Sequence, residues 1–219
     1  MDAHPYAPND LSLPGFVPNL LSSSTILLLF AVATLVVFSL SWIIPGLVSK
    51  TTKMERLLIC WWVFTALIHI IVEGYFVFAP EFFKDKTGNY LAEIWKEYSK
   101  GDSRYAGRDG ATVLIEGITA VVEGPASLLA VYAIAKHRSY SDVLQLAVSL
   151  GQLYGCAMYF GTAFYEGNHF AASRYYYYAY FIGANASWVI IPTLISIRSW
   201  INICQFCNTI NSTNKTKSL

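Results

Sequence analysis

Charge is what this sequence has least of. Asp, Glu, Lys and Arg make up 13% of its 219 residues, about half the roughly 25% of an ordinary soluble domain. The net charge is +1, so no basic surface is on offer to nucleic acid. Missing too are the glycine-rich phosphate loop, the dinucleotide-binding fingerprint and the zinc-protease motif, which weakens any nucleotide-driven or redox reading. The four cysteines, Cys60, Cys156, Cys204 and Cys207, do not make a disulfide framework, because the first two fall within or beside apolar segments. Cys204 and Cys207 form a lone CxxC without a second pair, a nearby His or a strand–helix context. Juxtamembrane acylation is an equal reading of that pair.

What the chain has instead is hydrocarbon, at 55% hydrophobic residues, with its charges bunched between long apolar runs. Runs of this length cross the roughly 30 Å hydrocarbon layer as helices. Five spans are expected, at about 21–47, 57–78, 111–135, 142–164 and 175–197. The fold class is therefore an all-α membrane protein, a five-transmembrane-helix bundle with an intramembrane ligand cavity. Residues 1–20, with Pro5, Pro8, Pro14 and Pro18, read as an extended lead-in. The bundle occupies 21–203, and 204–219 reads as a cytoplasmic tail. No basic region precedes the first run, which is also too long for a signal-peptide core.

Ionisable groups at membrane depth are costly and mark cavities, partners or proton paths. His69 and Glu73 stand four residues apart in the second span, on one helical face, close enough to hold and move one proton. Glu116, Thr119 and Glu123 share a face of the third span, and two carboxylates on one stripe point to a lined cavity. Pro125 is expected to kink that span and free a carbonyl beside them. In the fourth span Gln145, Ser149, Gln152, Cys156 and Tyr159 form a polar stripe, read first as interhelical hydrogen bonding and second as pocket lining. In the fifth, Asn185 and Trp188 need partners when buried, which His69, Glu73 and Glu116 would supply. Tyr175 to Tyr178 suit an interfacial aromatic belt. Between the second and third spans, Leu91, Ile94, Trp95 and Tyr98 recur at helical spacing, either as an interfacial or capping helix or as a solvated loop helix.

The short basic connections around Lys50, Lys53, Arg56, Lys136, Arg138 and Arg198 favour a cytoplasmic C-terminus and a lumenal N-terminus. Lys215 and Lys217 then fit a KxKxx retrieval signal read from the cytosol, which places the protein in the endoplasmic reticulum membrane. Asn211 and Asn214 open glycosylation sequons, and glycans there would overturn that topology.

The segments His69-Ile70-Ile71-Val72-Glu73-Gly74, Trp95-Lys96-Glu97-Tyr98-Ser99-Lys100-Gly101-Asp102-Ser103-Arg104-Tyr105 and Glu116-Gly117-Ile118-Thr119-Ala120 resemble the emopamil-binding protein family. Gly151-Gln152-Leu153-Tyr154-Gly155 and Asn185-Ala186-Ser187-Trp188 extend the likeness, which runs from about residue 15 through the fifth span. The resemblance implies a five-helix fold with a cavity open to lipid and a sterol isomerase that shifts a ring double bond from Δ8 to Δ7. By the same resemblance His69, Glu73 and Glu116 are catalytic and Thr119, Asn185 and Trp188 bind substrate. Glu123 stands where a tryptophan is expected in the vertebrate members, and an acid there would tune ligand choice or bond within the bundle.

Such a shift changes no oxidation state, so it needs neither cofactor nor metal. It needs a proton in at C9, a site that stabilises positive charge at C8, and a base for the C7 proton. The expected partners are a Δ8-sterol substrate, the lipid bilayer, and cationic amphiphilic amines that imitate the cation, with room for a homodimer. Two rivals stand beside the enzyme: a non-catalytic sterol or cationic amphiphile-binding protein like the sigma-2 receptor, and a proton-coupled transporter. The transporter loses ground because no inverted repeat or paired broken helices are visible.

Overall fold

The computed structural model describes residues 4–217, and all regular structure among them is helical. Among the described residues, five helices are long and apolar enough to cross a membrane. Helix α1, Ser23–Val48, starts where the Ser22 hydroxyl accepts the Thr25 N–H at 3.1 Å. Helix α2, Lys53–Phe78, opens on a capping box: Thr52 Oγ1 accepts the Glu55 N–H at 3.2 Å, and Glu55 Oε2 accepts the Thr52 N–H at 2.7 Å, satisfying two otherwise orphaned donors. The short α3, Tyr90–Tyr98, buries Ala92, Glu93, Trp95, Lys96 and Glu97, and so follows the capping alternative and not the solvated loop helix. Helices α4, Gly110–Ala135, and α5, Ser141–Tyr165, follow.

The last span, α6, covers Arg174–Thr209, and its final α-helical stretch runs Asn185–Lys217. The helix thus continues into the segment read as tail, because no residue after Pro192 interrupts it. The KxKxx lysines and both sequons fall on positions whose side chains lie outside the described residues.

Three spans depart from regular α-helix beside the cavity. Residues Ile68–Glu73 of α2, Thr119–Glu123 of α4 and Tyr177–Ala184 of α6 are π-helical, with i→i+5 bonding that appears mostly at functional sites. Pro125 sits just past the second of these, in the first turn of Gly124–Ala135. Its ring would clash with the carbonyl four residues back. That carbonyl belongs to the π-helical turn, so the wider turn accommodates the proline.

Helix α1 packs on α2, α2 on α4, and α5 along α6. One core, built on Leu58, Trp62, Ala130, Ile134, Val148 and Ile195, fills the half of the bundle nearest the α1–α2 and α4–α5 turns. The other is aromatic, with Tyr6, Phe76, Trp95, Tyr105, Phe170 and Phe181, and lies beneath α3. The lead-in is part of this second core. Tyr6 is 1% exposed and donates to the Lys96 carbonyl at 3.0 Å, and the N–H groups of Leu20 and Leu21 donate to Glu93 Oε2 at 2.7 and 2.9 Å.

Candidate functional site

Between the two cores lies a cavity of about 380 Å³, within the range of small-molecule sites. Its walls come from all six helices, and most of them are hydrocarbon and aromatic ring. His69, Glu73, Glu116, Thr119, Glu123, Asn185 and Trp188 all line it. The fold therefore brings together every candidate residue named from the sequence.

The π-helical turn of α2 carries the first group. His69 is 2% exposed, and its Nδ1 lies 2.6 Å from Glu73 Oε2. The other ring nitrogen, Nε2, is 3.1 Å from Thr65 Oγ1 and 3.2 Å from Gln152 Nε2. Both ring nitrogens are thus tied, which fixes the ring's orientation. Thr119, at the start of the α4 π-turn, donates its hydroxyl to Glu73 Oε2 and lies 2.9 Å from the Glu116 carbonyl. One hydroxyl therefore couples the two acid-bearing helices.

Glu116 is 7% exposed, and its Oε1 accepts the Tyr105 hydroxyl. Burial, reinforced by the nearby Glu116 charge, pushes the Tyr105 phenol well above its ordinary range, so it remains a donor. Tyr105 ends the Trp95–Tyr105 run, which forms the roof of the cavity. Trp95 donates its indole N–H to the Val72 carbonyl at 2.8 Å. Asp102 is held by Arg104, Nη2 to Oδ2 at 2.7 Å, and by the Tyr159 hydroxyl at 2.7 Å, with the guanidinium stacked 4.8 Å from the Tyr159 ring centre. Burial opposes the Arg104 charge, but Asp102 outweighs it and raises the guanidinium above its ordinary value. Gly101 makes this roof possible: a Cβ there would stand 2.5 Å from the Tyr180 Cβ, so only glycine lets the loop close on α6.

Asn185 and Trp188 take partners other than those expected. The Asn185 amide donates to the Tyr98 hydroxyl and the Phe181 carbonyl, both at 2.8 Å. The Trp188 indole donates to Thr65 Oγ1 at 2.9 Å, with its ring centre 6.3 Å from that of His69. The physical reason is proximity along the bundle: Thr65 and Tyr98 lie nearer to α6 than the acids do. The polar stripe of α5 divides by depth. Gln145 accepts the Trp62 indole N–H at 3.2 Å as interhelical glue, whereas Gln152, Cys156 and Tyr159 line the cavity. Thr65, Tyr98 and Tyr105 were not singled out as site residues from the sequence. Tyr98 and Tyr105 stood inside the quoted roof run, and Thr65 stands one turn before His69.

A five-span helical bundle holding a buried His–Glu pair, a second acid and an aromatic-lined cavity defines an integral-membrane protein with an internal apolar cavity. The EXPERA (EXPanded EBP superfamily) family model matches residues 90–199. A probable 3-beta-hydroxysteroid-Delta(8),Delta(7)-isomerase of Arabidopsis thaliana is 59% identical over 216 residues, covering 99% of this chain and 96% of its own. The 3-beta-hydroxysteroid-Delta(8),Delta(7)-isomerase of Rattus norvegicus is 38% identical over 196 residues, 88% of this chain and 85% of its own. A protoglabretal synthase of Ailanthus altissima is 53% identical over 208 residues, 94% of this chain and 95% of its own. The chain belongs to the EBP family.

Proposed function

We propose that this protein is a sterol isomerase that moves the ring double bond of a Δ8-sterol to Δ7 by protonation and deprotonation through a carbocation. The observation that carries the reading is the hydrogen-bonded row His69–Glu73–Thr119 beside Glu116 in the wall of an otherwise apolar cavity. The names of the Arabidopsis and rat relatives support the same substrate class.

The chemistry follows from the groups present. The His69–Glu73 pair stores a proton and delivers it to C9. The C8–C9 π electrons form the new C–H bond, leaving positive charge at C8. Glu116, oriented by Tyr105, takes the C7 proton, and the C7–H electrons close the Δ7 bond. The carboxylates and the Trp188 ring supply a field that favours the cation, and the apolar walls keep water from trapping it. Glu73 and Glu116 come from different helices, which suits separate donor and acceptor roles.

The expected setting is sterol biosynthesis in the endoplasmic reticulum membrane, with the capped end and N-terminus lumenal and the C-terminus cytoplasmic. Protonated amphiphilic amines should occupy the cavity as mimics of the cation, and neutral isosteres binding equally well would oppose this. The deciding experiment supplies a Δ8-sterol to purified protein in deuterated water. A Δ7 product carrying deuterium at C9 is expected. Bound sterol with neither product nor deuterium would leave a non-catalytic sterol-binding protein. The 53% identity to a protoglabretal synthase gives product identification equal weight, since a relative this similar is named for another product.

A further inference from the structure

Two buried oxygens in the cavity wall have no hydrogen-bond partner among the described residues: Glu123 Oε2 and Gln152 Oε1. Glu123 is 9% exposed and Gln152 3%, and both line the cavity. In native proteins nearly every buried polar atom is satisfied, so each orphan calls for an explanation. The two meet along one stretch of α5. Glu123 Oε1 lies so close to the α5 backbone that a Cβ on Gly151 would stand 2.6 Å from it, and Gln152 is the next residue. The amide nitrogen of Gln152 is already committed to Thr65 at 3.1 Å and His69 at 3.2 Å, which leaves its oxygen as an acceptor without a partner.

An amide oxygen can only accept, so the partner missing at Gln152 is a donor, and a hydroxyl can meet the Glu123 carboxyl in either direction. Glu123 lies seven residues beyond Glu116 on α4, roughly 10 Å along the axis at 1.5 Å per residue. We propose that Glu123 Oε2 and Gln152 Oε1 form a hydroxyl subsite that receives the ring A hydroxyl of the sterol. The proposal rests on the sterol reading above, because the rest of such a ligand is hydrocarbon and the hydroxyl is its one donor. The hydroxyl is set apart from the ring B double bond, as Glu123 is set apart from Glu116. Docked at this end, it would fix how far the ring system slides past the His69–Glu73 pair.

The test measures equilibrium binding of 3-hydroxy Δ8-cholestene and of 3-deoxy Δ8-cholestene to protein in lipid nanodiscs. It compares the wild type with Glu123→Leu, Glu123→Gln and Gln152→Leu. The wild type should prefer the hydroxylated ligand by up to about tenfold, the net worth of one hydrogen bond. Glu123→Leu should bring the ratio close to one. Glu123→Gln, which keeps an acceptor oxygen, should retain most of it, and Gln152→Leu should reduce it. Ligand-free Glu123→Leu should melt no lower than the wild type, because an unpartnered buried acid is replaced by an apolar side chain of similar size. A wild-type ratio near one, or an unchanged ratio in Glu123→Leu, overturns the proposal. So does a Glu123→Leu variant that loses kcat on both ligands with the binding ratio intact, which would assign the residue to the chemistry. Binding needs no turnover, so a wild type that discriminates between the ligands without isomerising either defeats the isomerase reading alone.

Discussion

The two halves of the bundle are held in different ways. Beneath α3 the molecule buries ions and phenols: Lys96 pairs with Glu93 at 2.6 Å with both side chains fully inside, Arg104 pairs with Asp102, and Tyr159 and Tyr105 donate to acids. At the opposite end Trp62, Ala130 and Ile134 sit in hydrocarbon, with Trp62–Gln145 as a polar tie. Directional bonds fix individual atoms, whereas close packing of helices supplies a stiff frame without placing any one polar group. The cavity lies at the seam, on the three π-helical turns. Its acids are aimed by the polar half and braced by the packed half.

Substitutions should separate the halves. Glu73→Gln and Glu116→Gln are expected to reduce turnover by about 10²–10⁴-fold, the usual worth of positioned acid–base groups, while melting within a few degrees of the wild type; normal turnover in Glu116→Gln would remove that residue from the chemistry. Lys96→Met leaves Glu93 buried without its ion partner and should cost about 3–5 kcal/mol, read from denaturation in detergent. Tyr105→Phe removes one donor to Glu116 and should lower kcat by about tenfold, equivalent to roughly 1.4 kcal/mol, with little change in melting. Gln145→Ala in the packed half should cost about 0.6–1.7 kcal/mol and leave turnover near wild type. A fall in turnover as large as that of Glu116→Gln would erase the distinction between the halves.

Acid should affect the capped half first. Burial alone would raise the Glu93 carboxyl, but the Leu21 N–H, Lys96 and Asn19 together hold it below the ordinary value. A depressed folded-state pKa contributes stability above the unfolded value and loses it as pH falls through the folded one. Melting temperature should therefore drop on acidification below the ordinary carboxylate range, and Glu93→Gln should flatten that part of the profile. An unchanged slope would show that the lead-in does not depend on the Glu93 charge.

The spans were legible because apolar runs of that length have few alternatives, and the acids were legible because charge is rare at membrane depth. The π-helical turns were not, since α and π bonding of the same residues differ only through contacts with other helices. Pro125 signalled a disturbance, but read alone it pointed to a kink. The lead-in was opaque for another reason. Its anchor is the Tyr6 hydroxyl on the Lys96 carbonyl, a contact across most of a hundred residues with no periodicity to betray it. Asn185 and Trp188 line the cavity, yet of their partners Tyr98 was read only as part of an apolar-aromatic face and Thr65 carried no mark of its own.

The π-helical turns also act as phase shifters. Each holds one residue more than the α-turn it replaces, and one residue is about 100° of rotation at 3.6 residues per turn. The helix on the far side of Ile68–Glu73 is therefore rotated relative to the near side, so the face that Phe76 presents is set apart from the face that Trp62 presents. Removing a single residue from that turn would undo the rotation. The damage would be a change of angle carried along the whole remaining helix, and no side chain need be lost to bring it about.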